Sequence, residues 1–209
     1  GTATESNIET GDLNGDGIDD IIYANPEFQN DAGEVVVFYG MAENRTQDFS
    51  RAELSENDGF KLTGSGSDEF LGFSMAADDL NSDGFDELII GAPLTDYKDN
   101  NTSGEEFGII YVLPGINTNR EVEISTDTLS NLGAFTLVSD REDFQQFEIG
   151  RSIATGNVND DGFDDIVIGS GETDGRSLGN SYVVLGAADL PEDEISLLNL
   201  SSEQEWEEV

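Results

Sequence analysis

The sequence predicts an all-β fold of β-propeller blades, each with four antiparallel strands, and three such blades as part of a larger propeller. Three observations lead there. A nine-residue acidic loop occurs three times, and each copy runs straight into a short apolar stretch rich in β-branched residues, the composition of a buried strand. Each copy is later followed by a second apolar stretch that ends in glycine. The loops begin at Asp12, Asp79 and Asn157, so the period is 67 and then 78 residues, longer than the about 40–50 residues of common propeller blades but of the same kind. A stacked β-solenoid is the alternative, although its rungs are usually shorter, about 20–30 residues, and do not need four strand types in fixed order.

Taken in chain order, the strand before the loop reads Asn7-Ile8-Glu9-Thr10-Gly11, then Gly72-Phe73-Ser74-Met75-Ala76-Ala77, then Gly150-Arg151-Ser152-Ile153-Ala154-Thr155. Its small residues imply close packing near a crowded axis. The strand after the loop begins Asp20-Ile21-Ile22-Tyr23, Glu87-Leu88-Ile89-Ile90 or Asp165-Ile166-Val167-Ile168 and stops at Asn25-Pro26, Ala92-Pro93 or Ser170-Gly171, where Pro and Gly end a ladder. The third strand is Val35-Val36-Val37-Phe38-Tyr39-Gly40, Ile109-Ile110-Tyr111-Val112-Leu113 with Gly115, and Tyr182-Val183-Val184-Leu185-Gly186. A linker follows, containing Phe49 to Leu54, Thr126 to Leu129, or Ile195 to Leu198. The fourth strand is then Phe60-Lys61-Leu62 or Phe135-Thr136-Leu137, and in the third copy it falls near Trp206, short or truncated. These divisions give blades at residues 1–67, 68–145 and 146–209. Closed propellers generally need about four blades or more, so three imply further blades from the same chain or a neighbouring subunit.

The loops carry the chemistry. Positions one, three, five and nine hold oxygen-bearing side chains: Asp12, Asn14, Asp16 and Asp20; Asp79, Asn81, Asp83 and Glu87; Asn157, Asn159, Asp161 and Asp165. Glycine at position six permits a sharp turn, which lets the carbonyls of Ile18, Phe85 and Phe163 at position seven join them. Such all-oxygen sets suit Ca²⁺, which takes about six to eight oxygens, better than Mg²⁺, which demands near-ideal octahedral geometry. An EF-hand needs a bidentate Glu at position twelve and flanking helices, whereas position twelve here is Tyr23, Ile90 or Ile168 within a strand pattern. A single loop would be explained as well by the turn-forming habits of Asp, Asn and Gly; three in register point to about three Ca²⁺ ions, one per hairpin.

Composition narrows the function classes. The 209 residues include 46 acidic and 8 basic ones, a formal charge of -38, which repels the phosphates of nucleic acid. Without cysteine or histidine there is no disulfide, no thiolate or imidazole metal site and no Cys nucleophile or His base. No apolar run reaches the about 18 residues expected of a membrane span, and no basic-then-apolar leader is present, as expected of a mature secreted product.

Leu71-Gly72-Phe73-Ser74, the loop that follows and Leu88-Ile89-Ile90-Gly91-Ala92-Pro93 together resemble the FG-GAP repeat of integrin alpha-type propellers, especially those of bacterial integrin-alpha-like surface proteins. Asn180-Ser181-Tyr182-Val183-Val184-Leu185-Gly186 resembles that family's third strand. The resemblance implies a propeller of about seven blades, with Ca²⁺ held by the loop positions just named. Two departures bear on the site. Glu87 is one methylene longer than the usual Asp, and Asn157 leaves the third loop with two coordinating carboxylates against three in the others.

The resemblance further implies an extracellular or cell-surface, non-catalytic module for adhesion, recognition or surface assembly, with a protein or carbohydrate ligand. The alternatives are a structural subunit of an extracellular filament or array, and the accessory propeller of a polysaccharide-active enzyme. Tyr97, Phe107, Phe144, Phe147 and Trp206, aromatic residues in polar segments, are read as satellite core or as partner contacts.

Overall fold

In the computed structural model, residues 7–41, 50–95, 108–117, 120–138, 147–172, 180–191 and 194–197 are described. Tyr97, Phe107, Phe144, Trp206 and the expected fourth strand of the last repeat lie outside them, as does the side chain of Phe147. The described residues form antiparallel sheets with few helical turns, in agreement with the all-β expectation.

The first sheet contains β1 (Asn7–Gly11), β2 (Asp20–Asn25), β3 (Glu34–Phe38) and β4 (Gly59–Thr63), each antiparallel to the one before. The second repeat supplies β5 (Ser74–Asp78), β6 (Glu87–Ala92), β7 (Ile109–Leu113), β8 (Glu123–Ser125) and β9 (Phe135–Val138). The third supplies β10 (Phe147–Gly156), β11 (Asp165–Glu172), β12 (Ser181–Val184) and β13 (Ile195–Ser196). The first strands β1, β5 and β10 lie side by side, so the sheets radiate from a common edge as blades do.

Two short strands leave their own repeat. β8 pairs in parallel with β4, and β13 pairs in parallel with β9, so each adds a fifth strand to the outer edge of the preceding blade. Ile195 and Ser196, expected in a linker, therefore form a strand. The expected linkers also contain short 3-10 helices, at Arg51–Glu53 and Thr126–Leu132. β10 starts before Gly150 and carries a bulge between Ile149 and Ser152, where the pairing register shifts.

Side chains of one strand alternate between two faces, and each face packs against a different neighbour. Ile22, Ala24, Val35, Val37, Phe60 and Leu62 of the first blade meet Met75, Leu88, Ile90, Tyr111 and Leu113 of the second. The opposite face of the second blade, with Ile89, Ile110, Val112 and Leu137, meets Ile149, Ile166, Ile168 and Val184 of the third. Blades two-sided in this way read as continuous apolar runs, which is why β6 is buried at every residue.

Candidate metal centre

The three acidic loops join β1 to β2, β5 to β6 and β10 to β11, each the first hairpin of its blade. They fold alike. In the first, Asp12 accepts the N–H groups of Asp16 at 3.0 Å and Gly17 at 2.7 Å, Asn14 accepts Asp16 N–H at 2.9 Å, and Asp16 accepts Ile18 N–H at 2.9 Å. In the second, Asp79 accepts Asp83 and Gly84 N–H, Asn81 accepts Asp83 N–H and Asp83 accepts Phe85 N–H. In the third, Asn159 accepts Asp161 N–H and Asp161 accepts Phe163 N–H, but Asn157 accepts Asp160 N–H instead. Position six is left-handed in every copy, and so is position four, with φ of 69° at Gly15, 59° at Ser82 and 63° at Asp160.

Position nine is different, because its carboxylate is buried. Asp20, Glu87 and Asp165 are 0% exposed. Each accepts two backbone N–H groups, one from position two of its own loop and one from the glycine that closes the third strand. The pairs are Leu13 and Gly40 for Asp20, Leu80 and Gly115 for Glu87, and Val158 and Gly186 for Asp165. This bracket explains why the third strands end in glycine. A Cβ at Gly40 would stand 2.6 Å from the Asp19 carbonyl, one at Gly115 2.6 Å from the Asp86 carbonyl, and one at Gly186 2.2 Å from the Asp164 carbonyl. The glycine pattern is visible in the sequence as a strand terminator; its role as a loop anchor emerges only from the contacts.

Burial raises the Asp20 carboxyl from 3.8 to about 6, against the pull of its two N–H donors, and the charges of Asp12 and Asp16 push the same way. Burial likewise raises Glu87 from 4.5 to about 8, with Asp83 and Asp79 adding to it. The extra methylene of Glu87 does not break the bracket. Asp86 at position eight is raised by burial and lowered by its bond to the Asp12 backbone, whereas Asp164 is raised by burial and then by Asp78 across the blade boundary.

Within each loop the side chains expected to bind a cation fold back onto the loop's own backbone N–H groups. Among the described residues no three acidic groups are gathered into a tight cluster. The donor set nevertheless fits a hard cation. It is all oxygen, its carboxylates repel one another electrostatically, and an oxygen that accepts one N–H keeps a second lone pair for a metal. Asp12, Asn14, Asp16 and Asp20 would hold such an ion in the first loop, with equivalent residues in the others, and the ion would offset the repulsion.

Comparison with known proteins agrees with this architecture. A family model for the FG-GAP repeat matches residues 6–38, 71–113 and 149–184. The chain is 28% identical to integrin alpha-PS2 of Drosophila melanogaster over 180 residues, which is 85% of this chain and 11% of that protein. It is 29% identical to integrin alpha-5 of Xenopus laevis over 164 residues, 78% of this chain and 13% of that protein. It is also 30% identical to a phosphatidylinositol-glycan-specific phospholipase D of Dictyostelium discoideum over 176 residues, 78% of this chain and 17% of that protein. The chain therefore spans less than a fifth of the length of these relatives. With three matched repeats that together cover more than half of its residues, each one blade with an acidic loop in its first hairpin, the chain belongs to the FG-GAP repeat family.

Proposed function

We propose that the chain is a calcium-stiffened segment of a larger β-propeller that serves adhesion, recognition or surface assembly outside the cell or at its surface, without catalysis of its own. The observation that carries this reading is the equivalent construction of the three loops: oxygen donors at positions one, three and five, and a buried position-nine carboxylate tied to the third strand. In this reading Ca²⁺ binds Asp12, Asn14, Asp16, Asp20 and the Ile18 carbonyl. It binds Asp79, Asn81, Asp83, Glu87 and the Phe85 carbonyl in the second loop, and Asn157, Asn159, Asp161, Asp165 and the Phe163 carbonyl in the third. Blades at 1–67, 68–145 and 146–209 are the repeating units, and further blades complete the ring. A protein or carbohydrate ligand belongs to the same reading, which the similarity to integrin alpha chains supports.

Because the ion binds only the folded hairpins, calcium raises thermal stability by mass action. The test is calorimetric titration with Ca²⁺ together with melting in calcium and in chelator. Binding with a higher melting temperature in calcium is the expected result; no heat of binding and an unchanged melting temperature would overturn the reading. The phospholipase D similarity favours a second reading, in which the same blades accompany a catalytic domain elsewhere in a longer chain. Hydrolytic activity of the full-length product, absent from this segment, would support that alternative.

A further inference from the structure

The first and second acidic loops touch each other, through residues that lie between the ligand positions. Phe85, whose carbonyl is position seven of the second loop, lays its ring against Gly15 of the first; a Cβ on Gly15 would come within 2.2 Å of it. Asp86, the next residue, clasps Asp12 from both sides. Its carboxylate accepts the Asp12 N–H at 2.7 Å and its own N–H donates to the Asp12 carbonyl at 3.0 Å. Ile116, next to the glycine bracketed by Glu87, donates its N–H to the Leu13 carbonyl at 3.0 Å. Positions one, two and four of the first loop are thus held by the parts of the second blade that surround its own proposed ion.

We propose that these two loops bind calcium with positive coupling, with Phe85 and Asp86 passing the occupancy of the second loop to the first. The proposal rests on the calcium reading above. An ion that fixes the Phe85 carbonyl also fixes the Phe85 ring and the peptide carrying the Asp86 N–H. Asp12 and Gly15 are then ordered before their own ion arrives. A ligand that meets an already ordered site loses less conformational entropy on binding, which is a coupling free energy between the sites. Repulsion between the two ions opposes this. At physiological salt, however, exposed charges are screened over about 8 Å, which weakens that repulsion. The proposed sign is that of the ordering.

The second boundary is built differently. Ser82 Oγ donates to the Gly162 carbonyl at 2.9 Å and Ala187 N–H to the Leu80 carbonyl at 3.1 Å. The Asp79 N–H, however, turns onto Asp78, and Asp164 meets the Asp78 side chain rather than the first ligand. Coupling between the second and third loops is accordingly weaker.

The test is a Ca²⁺ titration followed by ¹H–¹⁵N NMR at physiological salt, with the Gly17 and Gly84 amides reporting the first and second loops separately. In D79A/D83A the first-loop Kd should rise about fivefold or more. In D86A it should rise similarly even though Gly84 still titrates. If D79A/D83A loses its dispersed spectrum, D83N replaces it as the milder disabling variant. A first-loop Kd unchanged within about twofold in both variants overturns the coupling and leaves the calcium reading intact. No response of Gly17 or Gly84 to calcium in the unaltered protein overturns the calcium reading itself, and the coupling with it.

Discussion

At the scale of single residues, the position-nine carboxylates make a contact that the sequence does not display. Their place in the loop leads to the proposal that they are cation ligands, and their contacts make them brackets between loop and third strand. Asp20→Ala leaves the buried Leu13 N–H and the half-buried Gly40 N–H without their acceptor, and orphaning a buried group costs about 1–3 kcal/mol. In chelator, D20A should therefore lower the urea unfolding midpoint clearly, with D20N between it and the unaltered protein; equal midpoints for all three would rule out the bracket. The same burial sets a pH dependence. Glu87 is raised from 4.5 to about 8, so in chelator the folded chain keeps a proton that the unfolded chain releases near its ordinary value. Its stabilising contribution is complete below about 4.5 and disappears as pH rises through about 8. The melting temperature of calcium-free protein, taken relative to that of E87Q, should fall over that interval. In the proposed reading calcium binds the ionised carboxylate, so adding it should flatten the slope.

At the scale of elements, the fifth strands are the part that periodicity could not reveal. Strands of three and two residues show at most one alternation, so β8 and β13 look like linker. The signal that was available is a repeated tripeptide, Glu123-Ile124-Ser125 and Glu194-Ile195-Ser196, each of which contains one of the two strands. Ile124 is 6% exposed and belongs to the core between the first two blades, whereas Lys61 and Glu123 form an ion pair at 2.9 Å with Glu123 in solvent. Packing should decide the energetics, since truncating a buried aliphatic chain costs about 2–5 kcal/mol and exposed ion pairs contribute little. I124A should shift the urea midpoint strongly and speed amide exchange in β4, while K61A should leave both nearly unchanged. The opposite order would mean that charge, not burial, fastens one blade to the next.

At the scale of the whole molecule, equivalent positions have unequal surroundings. Val112 opposite Ile89 is fully buried between the second and third blades, whereas Val183 opposite Val167, the matching place in the third blade, is 37% exposed. Ile8 and Ile21 on the far side of the first blade are 64% and 37% exposed. V183K should therefore change stability by no more than about 0.5 kcal/mol in this chain, as surface substitutions usually do, while V112K should prevent folding or cost several times as much. In a longer chain where another blade packs on the third, V183K should become as damaging as V112K. Comparing urea midpoints in the two lengths of protein would test the larger-propeller reading directly.

The sequence by itself determined the strand type, the three-fold recurrence and the acidic hairpins, because local apolar runs, turn residues and closely spaced oxygens all leave their mark within about ten consecutive positions. Only the tertiary structure decided that a carboxylate anchors a glycine some twenty residues away, that short strands cross to the preceding blade, and that Phe85 and Asp86 belong to two loops at once. Those contacts join residues far apart in the chain, and their geometry follows from how the sheets stack rather than from any local pattern.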